Sequence, residues 1–384
     1  MASSKALFPI EFKLALRCLE LVSTGDELAK AMENCQELLE WLRFFYRPAN
    51  PSQFAKGHGT EETCMEPKPV GYFASLIEAE GVEMGGVIDV ACGREHTMAV
   101  TLSGDLFGFG WGEAGRLGTG ETGSSLFPSR VTTLKEVTGV ACGREHTLAL
   151  TKAGQVFAFG AGFGGRLGND AEMDEELPFA VGGMEDRIIT AIDAGECHSC
   201  ALSDKGDVFT WGFGSSGALG HGTRDNCLKP KRIDGPWASI DDLGQTVKKQ
   251  LAEVSFVTSI ACGSYHTLVS TDGGTLYGWG DAAAGQLGVE LVSAPDMVVL
   301  SPTKLRIPSS SGLRSITCGT FTSAVCTQQG QIFLWGSPAA GNGAPLDIED
   351  ARVKRIGMLG EFEFSQIACG AYHAVALTKK LEYC

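Results

Sequence analysis

The eight residues VACGREHT stand at 90–97 and again, unchanged, at 140–147. Looser copies follow: DAGECHSC from Asp193, ACGSYHTL from Ala261, TCGTFTSA from Thr317 and ACGAYHAV from Ala368. Self-similarity at a spacing near fifty residues leaves few architectures open. A unit of that size cannot bury its apolar face alone and has to stack on its neighbours, as in solenoids, propellers and arrays.

The rest of each unit recurs in a fixed order. Gly-x-x-His is followed, eight residues beyond the His position, by a turn glycine at 104, 154, 206, 274 and 330. An aromatic segment comes next: LFGFGWG, VFAFGAG, VFTWGFG, LYGWGDA and IFLWGSP. A glycine-rich turn then ends in x-Leu-Gly at 116–118, 166–168, 218–220 and 286–288, and Pro128, Pro178, Pro230, Pro302 and Pro345 open the last segment. Short apolar runs joined by glycine turns predict hairpins, and four short strands per unit. Glycine, at 51 of 384 residues, is roughly twice its usual ~7% share. Tight turns account for the excess, because the glycines recur in register.

The two ends complement each other. Residues 56–70, KGHGTEETCMEPKPV, resemble residues 219–233, LGHGTRDNCLKPKRI, so the chain enters on the second half of a unit and leaves on the first half of another. Such an offset predicts a blade shared by the two ends, which closes a ring and removes exposed sheet edges. Residues 1–47 read differently: DELAKAMENCQELLEWLRFFY, from Asp26, places apolar residues at helical spacing before Pro48 and Pro51 break the pattern. The division expected is a helical segment over 1–47 and a repeat domain over 48–384.

These motifs resemble the regulator-of-chromosome-condensation repeat: V-A-C-G-x-x-H-T, then G-x-V-F-x-W-G, then G-x-L-G, then P-x-x-V. The resemblance implies an all-β fold, a seven-bladed β-propeller with four-stranded blades. Six units are recognisable here, counting the shared one. A seventh would lie in residues 1–47 or in the longer connection 225–258, or the ring has six. Thr322 replaces the histidine of the fifth copy.

Several features that could carry chemistry have a simpler reading. The G-x-G-x-x-G strings at 110–115, 160–165 and 212–217 run into another glycine turn, not into a helix that would hold a pyrophosphate. No cofactor is expected. His96, His146, His198, His266 and His373 share one repeat position, with Gly93, Gly143, Gly195, Gly263 and Gly370 three residues before them. Spread over separate blades they cannot meet on one metal, and each is expected to bond the backbone of a neighbouring blade, the glycine allowing close approach. No metal site is expected. Cys92, Cys142, Cys262, Cys318 and Cys369 occupy a position that accepts Ala194, which predicts buried free thiols in a reducing compartment. Cys197-x-x-Cys200 reads as one surface and one core position, with no redox role. The photosensory branch of the family uses Gly-Trp-Arg-His-Thr; Gly-Arg-Glu-His-Thr stands here, and no copy supplies that tryptophan.

Two segments interrupt the repeat and are the places to look for function. DAEMDEE at 170–176 concentrates Asp170, Glu172, Asp174, Glu175 and Glu176, and the connection 225–257 carries Trp237 and a short helical stretch near 245–253. These residues are the candidate partner contacts. A net charge of −15 disfavours nucleic acid as the partner, and no window is apolar enough to span a bilayer. The function expected is protein recognition with no covalent chemistry, in the cytoplasm or nucleus. The resemblance implies, more narrowly, guanine-nucleotide exchange on a Ran-like small GTPase. The alternative is a scaffold without exchange activity. Chromatin attachment has weaker support, since no basic tail opens the chain.

Overall fold

A computed structural model describes residues 57, 59, 70–81, 86–237, 255–288, 297–308, 312–336, 354–355, 363–370 and 374–378. The predicted helix at 26–46, the stretch 245–253, Pro345 and His373 lie outside these residues.

The first sheet is a meander of β1 (Val87–Cys92), β2 (His96–Thr101), β3 (Leu106–Gly110) and β4 (Ser125–Arg130). The same order recurs in β5 (Val137–Cys142), β6 (His146–Thr151), β7 (Val156–Gly160) and β8 (Glu175–Ala180). The third sheet holds β9 (Ile189–Ala194), β10 (His198–Ser203), β11 (Val208–Gly212) and β12 (Cys227–Arg232); the fourth holds β13 (Val257–Cys262), β14 (His266–Thr271), β15 (Leu276–Asp281) and β16 (Val298–Leu305). The fifth runs through β17 (Leu313–Cys318), β18 (Thr322–Thr327), β19 (Ile332–Gly336) and β20 (Lys354–Arg355), and β21 (Phe364–Cys369) pairs with β22 (Ala374–Thr378). Every pairing is antiparallel.

The sheets pack face to face, and the first strands of successive units touch one another, which places them nearest the axis. The second strands, β2, β6, β10, β14 and β18, are buried at all six positions. The apolar cores accordingly lie between units. One joins Leu148, Ala158 and Leu167 of the second unit to Ala201, Phe209 and Trp211 of the third. The next joins Cys200, Leu202 and Val208 of the third to Val269 and Trp279 of the fourth. The leucine of each x-Leu-Gly turn (Leu117, Leu167, Leu219, Leu287) is at most 1% exposed, and full burial of such a side chain stabilises by about 1.5–3 kcal/mol. This is a β-propeller.

Each hairpin between second and third strands turns on a glycine. Gly104 has φ +78° and its N–H donates to the Thr101 carbonyl at 2.9 Å. A Cβ there would stand 2.8 Å from Cα of Glu136 in the connection to the next unit. Glycine is therefore required twice over, by the left-handed backbone and by the close approach.

The entering half-unit is visible at two points. Gly57 packs on Phe109 as Gly168 packs on Trp211 and Gly220 on Trp279. Gly59 N–H donates to the Leu126 carbonyl at 3.0 Å, as Gly222 donates to Leu300 at 2.9 Å. A helix the periodicity did not predict, α1 (Gly71–Glu80), then intervenes before β1. It seats Phe73 edge-on against Phe107, ring centres 5.5 Å apart, and ends at Gly81, whose N–H bonds the Ile77 carbonyl at 2.9 Å.

Candidate interaction face

In a four-stranded meander the first-to-second and third-to-fourth connections emerge at the same end. That end of the propeller carries the Gly-x-x-His loops and the long glycine-rich turns.

The histidines at the base of these loops are structural. His96 Nε2 lies 3.0 Å from Thr147 Oγ1, His146 Nε2 2.9 Å from Ser199 Oγ, His198 Nε2 3.0 Å from Thr267 Oγ1 and His266 Nε2 2.8 Å from Ser323 Oγ. Each hydroxyl belongs to the following unit. Each donates its proton back to a carbonyl of the histidine's own unit: Arg116 at 2.9 Å, Arg166 at 2.8 Å, Ala218 at 2.9 Å and Gln286 at 2.7 Å. With its proton spent, the hydroxyl accepts from Nε2–H, which places the proton of the neutral ring on Nε2. The expected backbone partner is thus replaced by a hydroxyl that relays to backbone, because the first side-chain atom able to reach the ring is the one directly after the neighbouring histidine position. Burial holds His96 and His266 down to about 3 and His198 to about 4, with Arg116 adding to the effect at His96; burial also keeps His146 well below its usual range. The ring lies on its glycine: a Cβ on Gly93, Gly143, Gly195 or Gly263 would stand 2.1 Å from Cε1 of the histidine. At the fifth join Thr322 replaces the histidine and Ala374 replaces the hydroxyl, so both side-chain members of the relay are missing together.

Above the histidines the loops carry paired charges. Arg144 binds Glu196 of the next unit, and Arg166, 3% exposed, lies 3.9 Å from Glu145. Arg116 Nε donates to the Glu113 carbonyl at 2.8 Å. Tyr265 is pushed up to about 12 by burial and by Glu196. No group of His, Cys, Asp or Glu among the described residues could hold a metal ion. The described cysteines form no disulfides; of the five at the repeat position Cys262 is buried as expected, while Cys92, Cys142, Cys318 and Cys369 are only half-buried, because the first strands that carry them line the axis. Cys200 lies in an apolar core and Cys197 in a half-buried loop position.

The acidic loop is a hydrogen-bonded turn. Asp174 Oδ1 accepts the Gly162 N–H at 2.9 Å, the place taken by Ser124 Oγ on Gly112 and by Asn226 Oδ1 on Gly214. Asp174 therefore fills a repeat position as an acceptor, besides adding charge. Glu175 accepts from Asn169 at 3.0 Å, Asp170 pairs with Lys229 at 2.8 Å, and Glu172 accepts from Asn226 at 3.5 Å. The Glu176 backbone carbonyl receives Gly120 N–H, while its side chain is exposed. Trp237 stands apart from this loop. It is half-buried, its ring 6.2 Å from Trp279 and 5.6 Å from Tyr277, and it plugs the core between third and fourth units.

The sequence pattern described as "Regulator of chromosome condensation (RCC1) repeat" matches residues 103–150, 153–202 and 205–270 in one form, and 87–116, 137–166, 189–218 and 257–286 in another. The chain belongs to the RCC1 repeat family. Among RCC1-type relatives it is 31% identical, over 84% of this chain and 61% of the other, to "RCC1 domain-containing protein RUG3, mitochondrial" of Arabidopsis thaliana. It is 28% identical to the Arabidopsis "Ultraviolet-B receptor UVR8", over 73% of this chain and 46% of that one. It thus spans less than two thirds of either relative. Among solved structures it is similar to human WBSCR16 (25% identity, TM-score 0.62, 76% of this chain and 74% of that one). It is also similar to yeast RCC1 (Prp20) in a complex with Kap60 (22% identity, TM-score 0.61, 78% and 69%). The RCC1 propeller is a fold for protein interaction.

Proposed function

We propose that this RCC1-type propeller recognises a partner protein through the loop-bearing end of its second and third units, in a reducing compartment such as the cytoplasm or nucleus. The observation that carries the reading is the loop at 170–176. Asp174 ties the loop to the Gly162 backbone and Glu175 ties it to the Asn169 side chain, while Glu172 and Glu176 stay exposed. A preorganised acidic loop steers a basic surface toward it and raises the association rate more than the affinity.

The narrower form of the reading is nucleotide exchange on a Ran-like small GTPase, supported by the family resemblance. It requires no covalent step, since stabilising the nucleotide-free GTPase weakens its hold on nucleotide. The scaffold alternative shares the surface and lacks that effect. Stopped-flow release of labelled GDP from such a GTPase, at two salt concentrations, separates them. Exchange predicts faster release with the propeller and a slower, less salt-dependent rate for Glu172→Gln/Glu176→Gln. Unchanged release with the parent protein removes the exchange form. Binding without release leaves a scaffold.

A further inference from the structure

Phe163 and Met173 are 55% and 73% exposed, in the same unit and at the same end as the acidic loop. The repeat itself provides the comparison. Position 163 corresponds to Glu113 in the first unit and Ser215 in the third, and position 173 to Gly123 and Asp225. The blade is built equally well with polar or absent side chains at both places, so its packing does not demand two large apolar ones. Phe163 is held in place through its ring, and Met173 through its backbone. Phe163 opens a 3-10 turn, its carbonyl accepts Arg166 Nε at 2.8 Å, and Arg166 lies under its ring 5.5 Å from the centre. Phe213 of the third unit flanks it at 5.6 Å. A Cβ on Gly162 would stand 1.9 Å from the Met173 carbonyl oxygen, so the two segments carrying Phe163 and Met173 run in contact.

At the surface, carboxylates outnumber cations around the pair. Glu172 and Asp174 flank Met173 and Asp225 lies on the adjoining loop, while Lys229 is tied to Asp170, Arg166 is buried beneath the Phe163 ring beside Glu145, and Arg224 is exposed nearby.

We propose that Phe163 and Met173 are the apolar anchors of this surface, and that it takes a protein segment presenting a large apolar side chain between lysines or arginines. The inference rests on reading the loop as a contact surface and adds the chemistry of the partner. A rigid aromatic supplies the anchor, the thioether adapts to the shape of the incoming side chain, and the carboxylates meet its flanking cations.

The variant Phe163→Ser/Met173→Gly carries residues the same turns hold in sibling units, so it should melt with the parent protein. Phe163→Ser alone serves if the pair does not. The probes are three short synthetic peptides: Leu-Phe flanked by lysines, Leu-Phe flanked by glutamates, and Ser-Gly flanked by lysines. Fluorescence anisotropy at two salt concentrations should show binding of the first, weakening with salt and falling by about tenfold or more in the variant. The other two should bind far more weakly. Equal binding by the variant, or three indistinguishable peptides, overturns the proposal. So does sedimentation showing that the parent self-associates through this pair while the variant does not. Glu172→Gln/Glu176→Gln should flatten the salt dependence yet keep discrimination between Leu-Phe and Ser-Gly. Failure of the acidic-loop reading is thereby distinguished from failure of the anchors.

Discussion

His146 Nε2 lies 2.9 Å from the hydroxyl of Ser199, one unit further along the chain, and that hydroxyl lies 2.8 Å from the carbonyl of Arg166, back in the histidine's own unit. One side chain of the following blade is thus gripped between two groups of the preceding blade. Because the ring is neutral and sealed, the contact has a pH dependence whose sign can be worked out.

Burial depresses His96, His146, His198 and His266 from 6.5, to about 3 for His96 and His266 and about 4 for His198, and well below the usual range for His146. Between those values and 6.5 the unfolded chain binds protons that the folded one refuses. Stability should be full above about pH 6.5 and fall as pH drops toward 4, by about 1.4 kcal/mol per pH unit for each histidine. Urea unfolding at pH 7, 6 and 5 should report a proton uptake from these groups that rises from about one to about three to about four, and His146→Ala should remove a quarter of it at each pH. A flat profile across that range would refute the sealed-ring account.

The relay should be coupled. Ser199→Ala leaves the His146 Nε2–H and the Arg166 carbonyl without their partner, and should cost about 1–3 kcal/mol. His146→Ala should cost a similar amount, about 1–3 kcal/mol, while sparing partner binding below the melting temperature. The double variant should cost less than the sum. Additivity within about 0.5 kcal/mol would mean the two residues stabilise independently.

At the fifth join the two missing side chains of the relay can be supplied. Thr322→His supplies the ring against Gly319, and Ala374→Ser supplies the hydroxyl. Each alone should do little or destabilise, whereas the pair should raise the melting temperature beyond the sum of the singles. Hydrogen exchange at β21 and β22 should slow in the pair. If the double variant melts no higher than the better single, the geometry of this join differs from the other four.

The thiols should be slow. Desolvation holds the buried Cys262 and the half-buried Cys318 well above their usual range and the half-buried Cys369 up to about 12, and the thiolate, suppressed at pH 8 in all three, is the reactive form. Iodoacetamide at pH 8 should leave these three unlabelled in the native protein and label them in denaturant, read by mass spectrometry of peptides. Rapid native labelling of Cys262 would contradict its burial.

Much of the architecture could be read from the recurrence of Gly-x-x-His, the aromatic segment and x-Leu-Gly, because each element answers a local demand: a ring to seat, a core to fill, a left-handed turn. The relay was half legible. The hydroxyl after each histidine was in plain view as His-Thr or His-Ser, but its partner lies about fifty residues away, and no local pattern marks which blade it meets. α1 was missed because Pro67, Pro69 and Gly71 frame it as a loop, and its reason to exist is the contact of Phe73 with Phe107. Asp174 looked like surplus charge until its acceptor role placed it beside Ser124 and Asn226. The exposed pair Phe163 and Met173 was hidden for the opposite reason: apolar residues in an apolar sequence draw notice only once burial is known.

The His–hydroxyl–carbonyl relay also gives the ring a sense of direction. Each of the first four units offers an imidazole and a carbonyl on its leading flank, and each of the second to fifth offers a hydroxyl on its trailing flank, so a unit fits behind any other that retains the set. A copy of one whole repeat, inserted at a boundary between repeats, would meet the fitting it needs on both sides without a compensating change elsewhere. Tandem duplication is then a conservative event for this chain, while a repeat reversed or cut in mid-unit finds no mate.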